Sequence, residues 1–509
     1  MKTSITFILF LVFLSSCQKT KETPKEEGIT SSDTFQSELN TLKEYFQIPG
    51  LAILVKEGNT PIFEEYLGTS NIDANIPLDQ ETTIPMASLT KILSGIVVMQ
   101  LKEEGKLSLD DAISDYVPSM GVPDSIKIKH VFSHTSQGKV GKHFYYSNRF
   151  GLLTPVIEKA DGQSFKEAIQ KRIIDKLQLK NTYLLKDSTQ IATEKRKIAS
   201  PYFLGGDIVD GFLQKKVTDG FIDYGFSASA GITSTVQDLG ILSDALDANT
   251  LISETSKQKM MTPFTENSPY GLGMFTQTFL GETIVWGYGQ YDCYSSLFLK
   301  VPAKNLTFII AANNNLMSDP ARLINGDITT SLFAMSFLKN YVFHFNEMPL
   351  FETVDSITLL KNQLNTSNKE FYAKKLIAQA SAETYMVRFD AESEKRSKAI
   401  LEAYFDLFPN HKTNADLTLL FNLQFLKSIA VMREQPPFKA FDNEYKRIGN
   451  QLLEIDSNNP YANYYMANYY QAKDDMDSTR YHFKRIIDAE NFSPWWYTNE
   501  AKQWLDSQN

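Results

Sequence analysis

The sequence predicts an α+β protein: one antiparallel sheet flanked by helices, with a helical region inserted, followed by an all-α stretch. Two observations carry this. Strand-like apolar runs occur near residue 50 and again near residue 300, with helical periods between them, so both ends of a 35–340 unit contribute to one sheet. Beyond Gly326 the only glycine is Gly449, and helical periods run through 355–509. The 509-residue length suits about three domains' worth of chain. With 51 Lys+Arg against 60 Asp+Glu the net charge is −9, which disfavours a nucleic-acid surface. Two cysteines exclude a disulfide scaffold and a cysteine-rich metal module.

Taken in order, residues 1–17 read as an export signal. They hold one basic residue, the apolar run ITFILFLVFL, and small residues before Cys17. Leu14-Ser15-Ser16-Cys17 resembles a bacterial lipobox, which implies a lipidated Cys17 and a lipid-anchored protein of the bacterial cell envelope, on its periplasmic or surface face. Residues 18–34 are polar and charged without an apolar period and read as a flexible tether. With Cys17 acylated, Cys293 is expected to form no disulfide.

Residues 51–56 and 61–67, split by Glu57-Gly58-Asn59-Thr60, read as a hairpin. Residues 88–105 carry a helical period that stops at Gly105. Residues 283–287 and 294–312 read as strands, turning at Pro302-Ala303-Lys304-Asn305. In 345–509, Pro460-Tyr461 and Pro494-Trp495 stand 34 residues apart around two helical stretches. That period resembles a tetratricopeptide repeat, or else marks an irregular helical domain.

The chemistry centres on Ser88-Leu89-Thr90-Lys91 at the head of the predicted helix. A three-residue spacing puts Ser88 and Lys91 on one helical face. A lysine held in a partly buried site gives up its proton more readily, so the pair can act as nucleophile and base. Tyr146-Ser147-Asn148 follows, offering a proton shuttle and an amide that can orient a carbonyl. With these motifs the chain resembles the serine β-lactamase and penicillin-recognising family, in the branch of class C β-lactamases, D-amino-acid peptidases and related esterases. Pro49-Gly50-Leu51-Ala52, the segment from Gly105 to Asp111, His130 to Ser136, Tyr145 to Leu153, Ser229 to Leu239 and Tyr270 to Gly273 fall in family order across about 300 residues.

The resemblance implies a β-lactamase/DD-peptidase-like fold. It makes Ser88 the acylated nucleophile, gives its proton to Lys91 and Tyr146, and has Asn148 orient the substrate. The oxyanion would rest on the Ser88 N–H and an N–H near Tyr291. The family's Lys-Thr-Gly or His-x-Gly is replaced: in Trp286-Gly287-Tyr288-Gly289-Gln290-Tyr291, Tyr288 takes the Lys/His position and Gln290 the glycine. Tyrosine carries no positive charge near neutrality, so recognition of a substrate carboxylate is weakened and an ester or uncharged amide fits better. Tyr288, Gly289 and Tyr291 are the candidate substrate-binding residues on this strand, and Trp286 and Tyr288 share one strand face. His130 and His134 are four apart but have no third ligand, so no metal and no cofactor are expected. The expected function is a membrane-anchored serine hydrolase of a small peptide, amide or ester. The alternative is a catalytically degenerate scaffold whose helical tail binds a protein partner.

Overall fold

The computed structural model describes residues 31–508, apart from 138–139, 146, 187–188, 191–196, 211, 267, 354–355, 357–367, 409–441 and 490–495. The sheet is built from both ends of the unit. Seven antiparallel strands run in the order Phe275–Phe279, Glu282–Tyr291, Tyr294–Val301, Leu306–Ala312, Gly50–Glu57, Thr60–Asn71 and Ile76–Pro77. The first long strand and the last pair directly, with Leu51 opposite Ala312 and Glu57 opposite Leu306.

Both faces of this sheet are covered, which explains the nearly continuous apolar strands. Leu51, Ile53 and Val55 face a layer containing helices Ser31–Tyr45 and Leu332–Phe337. Ala52 and Leu54 face the opposite layer, with helices Thr90–Glu103 and Val236–Asp247. Asp244, near the end of the latter helix, pairs with the strand lysine Lys56. A second, three-stranded sheet places Ile232–Ser234 between Ile84–Ala87 and Tyr183–Leu184.

The last four residues of the expected 18–34 tether fall within the described helix Ser31–Tyr45. Its buried residues Phe35, Leu39 and Leu42 carry the apolar period, and the opening turn ahead of them needs no apolar residue of its own. Cys17 and the rest of residues 1–30 lie outside the described residues.

The helical region expected over 345–509 contains Lys369–Met386, Ala391–Leu407, Asp442–Ile455, Pro460–Gln471, Met476–Ala489 and Trp496–Ser507. Helix Pro460–Gln471 has proline at its first position and an Asn459 side chain that accepts the Ala462 N–H at 2.9 Å. The second half of the 34-residue spacing, at Pro494, lies outside the described residues. Lys374 ties this region to the sheet unit through Asp327 at 2.9 Å. No described helix is long and apolar enough to cross a membrane.

Candidate active site

Ser88 sits in a two-residue turn between strand Ile84–Ala87 and helix Thr90–Glu103. The turn is held under strain. Ala87 has φ +47°, a left-handed conformation that costs a residue with a Cβ about 1–2 kcal/mol. Thr90 fixes it from both sides: its Oγ1 donates to the Ala87 carbonyl at 2.6 Å and accepts the Ile232 N–H at 2.9 Å. The helix behind is buried from Thr90 to Leu101, so the half-buried serine rides on a rigid mount.

The structure brings Ser88 and Lys91 together. Lys91 Nζ donates to Ser88 Oγ at 2.9 Å, to Ser147 Oγ at 2.7 Å and to the Ser229 carbonyl at 2.8 Å. It also lies 5.3 Å from the Tyr145 ring centroid and 5.5 Å from that of Phe150. Lys91 is only 2% exposed, and this burial pulls its proton affinity far below that of an ordinary lysine. In its neutral form Nζ keeps two N–H donors, for Ser147 and the Ser229 carbonyl, and the Ser88 contact reverses, with the hydroxyl donating to the Nζ lone pair. That is the arrangement a general base needs.

Beside Ser88 and Lys91 the described residues include Tyr145 and Ser147. Tyr146 lies outside the described residues. The described phenol that hydrogen-bonds with Ser88 is Tyr145, which is buried and whose proton affinity that burial raises. It therefore stays a neutral phenol near neutrality, able to pass a hydrogen bond to Ser88 but not to act as the resting base. Asn148, expected to orient substrate, is exposed on helix Ser147–Phe150, and it is Ser147 that faces Lys91. Successive residues on a helix point about 100° apart, so only one of the two can face inward. The run Tyr-Tyr-Ser-Asn holds two overlapping Tyr-x-polar frames, and composition alone does not choose between them.

The segment Ser229-Ala230-Gly231 closes the site from the far side by presenting the Ser229 carbonyl to Lys91. Gly231 has φ +122°, and a Cβ there would meet the Phe226 Cβ at 2.4 Å.

The Trp286–Tyr291 strand end divides by alternation. Gly287 and Gly289 face the nucleophile helix. A Cβ on Gly289 would stand 1.9 Å from the Met86 carbonyl oxygen, so the strand reaches the backbone ahead of Ser88 only because this residue is glycine. Gly289→Ala is therefore expected to lower the melting temperature by several degrees and to slow any acylation of Ser88 (thermal melt and adduct formation). Unchanged values for both would show that the strand does not buttress the nucleophile turn. Tyr288 and Trp286 face the other way and are buried. Phe275 stacks on Trp286 at 4.1 Å, and Tyr288 lies 6.0 Å from Tyr145. Tyr288 thus backs Tyr145 through an aromatic cluster, and burial raises its proton affinity far above the ordinary phenol value. Gln290 reaches the loop after the last strand, donating to Asp319 at 2.9 Å and accepting from Ser318 at 3.1 Å. Tyr291 is half-buried with its pKa pushed up to about 12 by burial. The strand Phe275–Phe279 pairs only as far as Trp286, so Gly287–Tyr291 keep their outer backbone edge unpaired by it. That edge is where a second oxyanion donor can come from.

His134, read as part of a family segment, lies tilted 4.2 Å from Tyr145 and edge-on 4.8 Å from Tyr270, and His143 stacks on Tyr270 at 5.8 Å. Burial lowers the pKa of His143 to about 4 and holds that of His134 well below the ordinary histidine value. Between the ordinary histidine value near 6.5 and about 4, the unfolded chain binds protons that these folded rings refuse. Stability is therefore fully present above about pH 6.5 and falls as pH drops through that window. A melting temperature that stays flat from pH 7 to pH 4.5 would contradict this burial.

The fold has counterparts among known proteins. Residues 39–328 match the family model described as Beta-lactamase. Protein flp of Staphylococcus aureus (strain MW2) is 24% identical over 327 residues, covering 55% of this chain and 63% of that protein. The match thus spans less than two-thirds of that relative's length. The solved octameric penicillin-binding protein homologue from Pyrococcus abyssi superposes with a TM-score of 0.53 at 20% identity, covering 68% of this chain and 81% of that one.

Proposed function

This chain belongs to the Beta-lactamase family, and from that premise we propose that it is a serine hydrolase that opens an ester or uncharged amide through an acyl-enzyme on Ser88. The observation that carries the reading is the convergence of a half-buried Ser88, a desolvated Lys91 and a neutral Tyr145. Lys91 takes the Ser88 proton as Oγ attacks the carbonyl. The oxyanion is met by the Ser88 N–H, with the open strand edge near Tyr291 as the expected second donor. Tyr145, hydrogen-bonded to Ser88, relays the proton to the leaving group. Water then attacks the acyl-enzyme with Lys91 again as base, regenerating Ser88.

The substrate class follows from what replaces the family's cationic motif. Tyr288 is neutral and turned into the aromatic cluster, and the neighbouring Gln290 is engaged by Asp319. No cation on this strand is left to pair with a substrate carboxylate. We therefore expect kcat/KM for a neutral p-nitrophenyl ester to exceed that for a carboxylate-bearing β-lactam by at least about tenfold, a difference of about 1.4 kcal/mol. Parallel steady-state assays decide this, and faster acylation by the β-lactam would overturn the substrate assignment. We also propose that Cys17 carries a lipid that holds the protein at a bacterial envelope membrane, a reading supported by the Leu14-Ser15-Ser16-Cys17 sequence.

A further inference from the structure

We propose that the C-terminal helical region is a working part of this active site, with Asp456 and Tyr461 as positioning residues that hold Tyr145 against Ser88 by clamping the segment before it. The inference rests on the Ser88 reading above and concerns how that site is kept assembled.

The segment Lys142–Tyr145 ends on the phenol that hydrogen-bonds Ser88, and its side chains alternate between two partners. His143 and Tyr145 turn inward to the stack around Tyr270. Lys142 and Phe144 turn outward to the helical region. Lys142 Nζ pairs with Asp456 Oδ1 at 2.6 Å, and the Phe144 ring lies 6.1 Å from that of Tyr461 on helix Pro460–Gln471. On the site side, the segment is held by Phe144 N–H to the His134 carbonyl at 2.7 Å. The outward contacts add a second anchor on the opposite side of the segment.

The same region grips the opposite wall. Ser381, on helix Lys369–Met386, donates to the Pro320 carbonyl at 2.5 Å. Lys374, on the same helix, pairs with Asp327. Pro320 follows Asp319, the residue that holds Gln290 on the substrate-facing strand. The helical region thus holds both the segment before Ser147 and the loop that Gln290 reaches.

The test uses full-length protein in mild detergent. The rate of Ser88 labelling by a fluorophosphonate and hydrogen exchange of residues 140–145 are measured side by side. Lys142→Glu sets two carboxylates facing each other. It is expected to slow labelling about tenfold and to speed exchange in 140–145, while helix Thr90–Glu103 stays protected. The swap Lys142→Glu with Asp456→Lys is expected to restore both to within about twofold of wild type. Tyr461→Ala provides a second disruption that leaves every charge in place, and the same pair of changes is expected. If wild type labels but the single variants label and exchange like it, or if the swap fails to restore them, the clamp is refuted. If wild type does not label at all, the hydrolase reading fails instead. The exchange data then still decide whether the segment is clamped.

Discussion

Ser88→Ala is expected to remove every covalent adduct and to lower ester turnover by about four to six orders of magnitude, the range seen when a nucleophile that works as a unit with its base is deleted. The fold is expected to survive. Ser88 is half-buried, and the hydroxyl is hydrogen-bonded to Lys91 and Tyr145. Removing it costs about 1 kcal/mol per lost bond, small against the two buried layers that pack the sheet. Circular dichroism alongside the kinetics separates loss of chemistry from loss of structure. Turnover that persists in this variant would place the nucleophile elsewhere.

Lys91→Met carries the second large effect. Methionine keeps the length and the apolar packing against Tyr145 and Phe150 but has no proton to accept or give. Acylation is expected to fall about a thousandfold or more. Lys91→Arg is expected to fail similarly, because a guanidinium keeps its proton at any working pH. The wild-type profile follows from the same cause. Desolvation lowers the lysine's proton affinity, so the neutral, competent form grows as pH rises through that depressed pKa. The acylation rate should climb with pH in that range and then level off. A rate that falls as pH rises there, or a fully active Lys91→Met, would remove Lys91 from the role of base.

Much of this architecture can be read from the chain because its strongest signals are local. The hairpin around Gly58, the buried helix after Ser88 and the strands before and after Pro302 each announce themselves by period and turn chemistry. The pairing of Leu51 with Ala312 follows from strands standing at both ends of one unit. The first helix is a different case: its apolar positions begin only at Phe35, after a polar opening turn that composition groups with the residues before it.

In the site, Ser88 and Lys91 are legible because their spacing is helical and the helix is unmistakable. The choice between Tyr145-x-Ser147 and Tyr146-x-Asn148 is not. Which residue of the run faces inward depends on the packing of the short helix Ser147–Phe150, which turns Ser147 to Lys91, while Tyr146 lies outside the described residues. The Ser229 carbonyl and the left-handed Ala87 are backbone features with no residue-type signature. Likewise, Lys142 reads as an ordinary loop lysine until the fold sets Asp456, more than 300 residues later, beside it.

The central claim is that desolvated Lys91 activates Ser88 in this chain. The most direct measurement is intact-mass analysis with peptide mapping of the wild-type protein after brief exposure to a fluorophosphonate across a pH series. The account predicts one adduct per chain, mapped to Ser88, forming faster as pH rises. No adduct at any pH, or an adduct on a residue other than Ser88, would contradict it.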